Sequence, residues 1–203
     1  MAEIYTGIKF ELILKNKIIE DNFSLLELKK WCVFFSENNL APPYPGGSSG
    51  NLSYRLNSVN NSFIITASRT SIAKNMKNSD FVEIEKCNLE QNQVFALGER
   101  EPSSETLLHH LIYKNKPEIN AIFHGHSDEI LSNTLKLNIP STEKELPYGT
   151  VSVANSILEI LDKSNFLILK NHGFIALGQT MEDAGNILIE SLTKINLYTK
   201  NEK

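Results

Sequence analysis

Residues 51–67 read NLSYRLNSVNNSFIITA, and how they are read decides the fold. Asn51–Leu56 and Ser62–Ala67 have the composition of two short strands, separated by a polar stretch of Asn and Ser that suits a turn. Phe81–Ile84 and Gln93–Leu97 read as two more strands. Strand after strand with no helix between them argues for a largely antiparallel or mixed sheet with helices packed on it. Upstream, Ser24–Phe35 reads as a helix. Ser24 sits at an N-cap with Glu27 three residues on, and Leu25, Leu28, Trp31, Cys32 and Phe35 recur at helical spacing. Between the two lies Ala41–Gly50, with three prolines and three glycines, read as a loop within one domain. Downstream, Ser103 or Ser104 caps a helix reaching about Asn115, and Asn120–His124 is a short apolar strand. Helices are expected over Asp128–Leu135 and Val153–Leu161, and strands over Phe166–Leu169 and Phe174–Leu177 around a turn at Asn171-His172-Gly173. A long amphipathic helix closes the pattern from about Met181 to Tyr198, with Ala184, Ile187, Leu188, Leu192 and Ile195 on one face. The class is mixed α/β.

Composition narrows the function. At 203 residues the chain fits a single domain spanning residues 1–203. A charged fraction of 22% beside 41% hydrophobic residues excludes intrinsic disorder. The net charge of −4, without a dense Lys/Arg stripe, argues against a nucleic-acid partner. No apolar run approaches the ~18 residues that span a bilayer, and Met1–Phe10 lacks the pattern of a signal peptide. Cys32 and Cys87 form neither a disulfide framework nor a C-x-x-C zinc pattern, which suits a reduced, cytoplasmic protein.

Five clusters carry candidate chemistry. In His124-Gly125-His126 the two imidazoles share a side if the strand continues, and together they suit a transition metal; they also read as polar residues ending a strand. Ser103-Ser104-Glu105 opens a helix, where hydroxyls, free N–H groups and the helix dipole favour an anion; ordinary capping explains them too. Glu105 and His109 share a face of that helix, whereas His110 points elsewhere as a surface or packing residue. His172 sits at the centre of a turn. Gly46–Ser53 offers N–H and hydroxyl donors to an anion or forms a flexible loop, and it is not a P-loop. Thr66–Ser71 ends a strand with four hydroxyls and Arg69, a side chain suited to gripping phosphate or carboxylate and equally to a solvated turn.

The order of these clusters carries more information than any one of them. Gly50-Asn51-Leu52-Ser53, Thr66-Ala67-Ser68, Ser103-Ser104-Glu105 with His109, His124-Gly125-His126 and Asn171-His172-Gly173 follow one another as they do in the class II aldolase/adducin family, which the chain resembles from about Leu25 to Tyr198. The resemblance implies an α/β/α layered domain with a central, mostly antiparallel sheet, and homotetramers with sites between subunits. It implies that His124, His126 and His172 ligate a divalent metal, usually Zn2+ though other divalent transition metals fit such sites. Glu105 would be the nearby carboxylate, able to ligate the metal and to act as acid/base. Asn51, Ser68, Ser103 and Ser104 would hold the phosphate of a sugar-phosphate substrate, with Gly50 beside Asn51; Arg69, read from its own guanidinium and not from the resemblance, would supplement that contact or change which anion is bound. The implied activity is aldol cleavage of a ketose phosphate to dihydroxyacetone phosphate, or a similar fragment, plus an aldehyde.

Glu105 favours the aldolases over the family's epimerases, which tend to carry Asp there. Two departures bear on the substrate. Arg69 stands where the aldolases usually have Gly, and the tyrosine that donates a proton in fuculose phosphate aldolases has no clear counterpart in the short Ile139–Tyr148 loop, since Tyr148, the one tyrosine nearby, aligns better with a different Pro-Tyr of the family. The alternatives are an epimerase, dehydratase or decarboxylase using the same site, and a non-catalytic adducin-like scaffold. A cupin-like oxygenase fits poorly, because Glu129 follows His126 one residue too soon and the long last helix does not suit an all-β barrel.

Overall fold

A computed structural model describes residues 6–201, so the reading of Met1–Phe10 falls partly outside the described residues. In chain order the elements are β1 (Glu11–Lys15), α1 (Phe23–Glu37), β2 (Pro43–Tyr44), β3 (Gly47–Ser48), β4 (Asn51–Asn57) and β5 (Ser62–Thr66). Then come β6 (Phe81–Asn88), β7 (Gln93–Leu97), α2 (Thr106–Asn115), β8 (Ala121–Gly125), α3 (Asp128–Ser132) and α4 (Val151–Ser156), the last continued by a 3-10 turn at Ile157–Glu159. β9 (Phe166–Leu169), β10 (Gly173–Gly178) and α5 (Met181–Asn201) complete the chain.

Eight strands form one sheet in the order β1-β7-β6-β5-β4-β8-β10-β9. Every neighbouring pair is antiparallel except β1 with β7. Helices cover both faces. Leu25, Leu28, Cys32 and Phe35 of α1, Ile130 of α3 and Ala184, Leu188 and Ile195 of α5 pack with Leu52, Tyr54, Phe123 and Phe174 on one face. Leu107, Leu108, Leu111, Ile112 and Tyr113 of α2 and Val153 and Ala154 of α4 pack with Phe63, Ile65, Ile122 and Ile175 on the other. The alternation along each strand sends successive side chains to opposite cores, which gives the α/β/α layering. β9 ends the sheet but is buried, because Ile168 donates to the Pro140 carbonyl and accepts from Thr142 N–H, covering the open edge.

β4 does more than fill the sheet. Its even-numbered Leu52 and Tyr54 enter the α1/α5 core, while Asn51, Ser53 and Arg55 face α2. Arg55 is buried and donates to the carbonyls of Tyr113, Lys116 and Ile119, each at 2.9 Å. These groups lie at the C-terminal end of α2, where helix carbonyls lack intrahelical partners, so the guanidinium caps the helix. Ser53 contacts His109 Nδ1 at 2.7 Å and the Tyr113 hydroxyl at 2.8 Å in the middle of the helix. The amide of Asn51 donates to the Glu105 carboxylate at 3.0 Å at its N-terminal end. Three alternate residues of one strand thus fix the position of α2.

Several elements differ from their sequence reading. α1 is capped by Asn22, whose side chain accepts from Leu25 N–H at 2.9 Å, and not by Ser24, which lies inside the helix. Glu105, without a side-chain cap bond, is the N-cap of α2, in place of Ser103 or Ser104. The loop at 41–50 contains the β2–β3 hairpin, and β1 joins the sheet edge.

Candidate active site

The site lies where β8, the turn before β10 and the start of α2 converge. β8 is central, between β4 and β10. It ends at Gly125, yet His126 still turns to the same spot as His124, and their Nε2 atoms are 3.1 Å apart. His172, in the turn between β9 and β10, stacks on His124 with ring centroids 5.2 Å apart and planes 6° from parallel. A ligand atom from each of the three histidines lies within 4.8 Å of the others.

Gly125 is required by contact. A Cβ there would fall 2.4 Å from Phe174 Cζ and 2.8 Å from the Leu40 carbonyl oxygen. The backbone between the two histidines therefore rests directly on its neighbours.

Glu105 closes the cluster from α2. Its Oε2 is 2.8 Å from His124 Nε2 and its Oε1 is 2.9 Å from His172 Nε2. Burial alone would raise its pKa, but the facing His124 and His172, by charge and hydrogen bond, hold it well below the ordinary carboxylate range. Burial and the neighbouring His124 and His172 hold His126 well below the usual imidazole value, which favours its neutral form. His124 Nδ1 lies 2.8 Å from the Phe174 carbonyl, an acceptor only, so Nδ1 carries a hydrogen. That bond orients the ring with Nε2 toward the cluster, the arrangement seen when a metal-ligating histidine is held by a carbonyl behind it.

The donor set fits a divalent transition metal. Zinc–nitrogen bonds of about 2.0–2.1 Å in a tetrahedron place neighbouring nitrogens roughly 3.4 Å apart, close to the spacing between His124 and His126. Imidazole and carboxylate together suit zinc and its first-row neighbours.

Of the candidate anion donors, Gly50, Asn51 and Ser103 lie against this cluster. Asn51 binds Glu105 directly, and its Oδ1 is buried without a protein partner. Gly50 adopts φ +86°, and a Cβ there would strike the His124 carbonyl oxygen at 2.7 Å, so the chain enters β4 pressed against β8. Ala67 bridges Pro102, with Ser68 N–H donating to the Glu101 carbonyl at 2.8 Å and Ser103 N–H to the Thr66 carbonyl at 3.1 Å, which sets Ser103 opposite Thr66. The Ser103 hydroxyl accepts from Glu105 N–H at 3.3 Å. Arg69 is exposed and left-handed at φ 52°, and a Cβ on Gly7 would be 3.9 Å from its guanidinium.

Not every sequence expectation meets here. His109 shares a helix face with Glu105 but turns its ring to Ser53 and stacks on Phe63, leaving Nε2 buried without a partner. His110 is buried and not at the surface. The roles of two residues escaped the sequence reading. Ser53, read only as one of the hydroxyl donors of Gly46–Ser53, bonds instead to His109 and Tyr113. Arg100 donates to the carbonyls of Ser68 and Arg69 at 3.2 and 2.8 Å and pairs with Asp80 at 2.5 Å, which fixes the Ser68–Arg69 turn; no local pattern marks it.

Residues 44–197 match the family described as Class II Aldolase and Adducin N-terminal domain. An L-fuculose phosphate aldolase of Methanococcus maripaludis is 33% identical over 118 residues, 50% of this chain and 64% of that protein. The chain thus matches somewhat less than two thirds of that relative's length. An L-fuculose phosphate aldolase of Methanocaldococcus jannaschii is 30% identical over 175 residues, 77% of this chain and 90% of that protein. Among solved structures, an L-fuculose 1-phosphate aldolase superposes with a TM-score of 0.72 over 91% of this chain and 88% of its own, at 24% identity, which is a likeness of fold.

Proposed function

The chain belongs to the class II aldolase and adducin family, and from that premise we propose that it is a metal-dependent sugar-phosphate aldolase. It would cleave a ketose phosphate reversibly to dihydroxyacetone phosphate, or a similar fragment, and an aldehyde. The observation that carries this reading is the approach of one carboxylate, Glu105, to two of three clustered imidazoles, with the Asn51 amide bonded to that carboxylate.

His124, His126 and His172 would hold the ion, for which zinc is our first choice, with Glu105 as a further ligand when substrate is absent. When bound, such an ion supplies Lewis acidity that offsets negative charge developing beside a carbonyl. Glu105 would then move a proton at the carbon next to that carbonyl. Asn51, held at its amide by Glu105 and with its own oxygen unpartnered, would feel substrate and base together. Gly50, Ser68, Arg69, Ser103 and Ser104 would hold the phosphate, and their distance from the reacting carbon turns binding into orientation. A buried carboxylate such as Glu105 keeps water from competing for the proton it moves. No amine nucleophile is needed.

The same reading takes residues 1–203 as a single domain working as a cytoplasmic homo-oligomer, a tetramer by family likeness, on a small sugar phosphate. The experiment is an aldehyde-release assay over a panel of ketose 1-phosphates with zinc present. Aldehyde and a triose phosphate in equal amounts support the reading. Carbon dioxide, or an isomerised sugar without cleavage, would move the chemistry to decarboxylation or epimerisation on the same site.

A further inference from the structure

Thr6–Lys9 lies ahead of the residues that match the family and ahead of every element used above. It is tied down at both ends. Phe10 is buried in the α2-side core, and the Lys9 carbonyl accepts from the Asn92 side chain at 2.8 Å, next to β1 paired on β7. At the other end Thr6 N–H donates to the Tyr148 hydroxyl at 2.5 Å, and Thr6 Oγ1 is 2.9 Å from the same oxygen. Lys9 Nζ sits 3.7 Å above the Tyr148 ring. Tyr148 is thus held on its edge and its face by one short segment.

The position of that latch gives it meaning. Gly149, next to Tyr148, packs on Ser104 so closely that a Cβ would lie 2.9 Å from the Ser104 carbonyl oxygen. Gly7, next to Thr6, has φ +106°, and a Cβ there would come within 3.9 Å of the Arg69 guanidinium. The segment therefore spans from Arg69 on one flank of the candidate anion donors to the residue packed on Ser104 on the other. Ser68, Ser103 and Ser104 are themselves only 8%, 6% and 8% exposed.

We propose that Thr6–Lys9, latched on Tyr148, is the outer wall of the anion subsite and that an anion in the subsite tightens it. The inference rests on the phosphate-binding reading above. Phosphate held by the serines would draw the Arg69 guanidinium inward by charge-assisted hydrogen bonding. Gly7, near that guanidinium, and Thr6, bonded to Tyr148, would then be ordered with it. The Tyr148 hydroxyl, bonded to Thr6, serves as a positioning group and not as a proton donor to substrate.

The test uses the full chain and inorganic phosphate. Phosphate affinity is measured for the wild type and for Tyr148→Phe, Gly7→Ala and Ser104→Ala, with hydrogen exchange followed over residues 6–10. Wild type should bind phosphate and show slower exchange in that segment when it does. Tyr148→Phe keeps the ring under Lys9 but removes the latch, and should weaken phosphate binding by about threefold to tenfold and abolish the added protection. Gly7→Ala places a side chain at a positive φ and should act the same way, which keeps the test open if Tyr148→Phe does not fold. If wild type binds phosphate and Ser104→Ala weakens it, but both wall variants bind as wild type and exchange is unchanged, the wall is overturned while the anion subsite stands. If wild type binds no phosphate, the subsite reading fails and the wall with it.

Discussion

The amide of Asn51 donates to Glu105 Oε2 at 3.0 Å, joining the first residue of a strand to the residue that caps a helix. Ser53 and Arg55, the next residues on that face of β4, grip the middle and far end of α2. The carboxylate is thus positioned from the strand through three alternating contacts, and its aim depends on all of them.

Glu105→Gln keeps the size of the side chain and removes its ability to move a proton. Turnover in the aldehyde-release assay should fall by about 10²-fold or more, with the fold retained by circular dichroism. Near-normal turnover would remove Glu105 from the acid/base role.

Arg55→Met would leave the carbonyls of Tyr113, Lys116 and Ile119 without their shared donor. Loss of such charge-assisted bonds in a buried setting should cost about 2–4 kcal/mol in urea unfolding. Activity should fall too, because α2 carries Glu105 at its other end. An unchanged urea midpoint would contradict the cap.

Gly125→Ala would drive a methyl into Phe174 and the Leu40 carbonyl. Overpacking of this kind costs about 1–3 kcal/mol, and here it would also spread His124 from His126. The thermal midpoint and zinc affinity should drop together, and a variant as stable as wild type would show that the backbone yields freely.

Stability should fall on mild acidification. Burial, with the nearby His124, lowers His109 to about 3, and burial, with Lys114, lowers His110 to about 4. An unfolded histidine titrates near 6.5, so below that pH the unfolded chain takes up protons that the folded one refuses. Each of the two should therefore remove up to about 1.4 kcal/mol per pH unit as the pH drops from 6.5 toward its folded value. Urea midpoints of the metal-free protein between pH 7 and 5 measure this, and His110→Gln should flatten the slope. A flat wild-type profile would refute it.

How far the sequence reaches follows from which signals are local. The β4–β5 pair, β7, β9 and α5 were legible because their patterns sit within one segment. β6 was read only to Ile84 because the strand runs on to Asn88 past a register shift between Ile84 and Lys86, which breaks the alternation. α3 stops at Ser132, three residues short of the reading, where the Asn133 and Thr134 side chains bond back to carbonyls of the preceding turn. β1 escaped because its partner β7 is far along the chain and its own residues are half exposed. In the site, the three histidines and Glu105 were named from motif order and the structure brings them together. The roles of Ser53, Arg100 and the Thr6–Tyr148 latch depend on contacts between distant segments, which spacing along one segment cannot reveal.

The central claim is a metal held by His124, His126 and His172. The most direct test is metal content per chain by elemental analysis of freshly purified protein, with His172→Ala beside it. The account predicts about one divalent transition ion per wild-type chain, zinc first among them, and its loss in the variant. A wild-type protein that carries no metal and takes none up when zinc is added would contradict it.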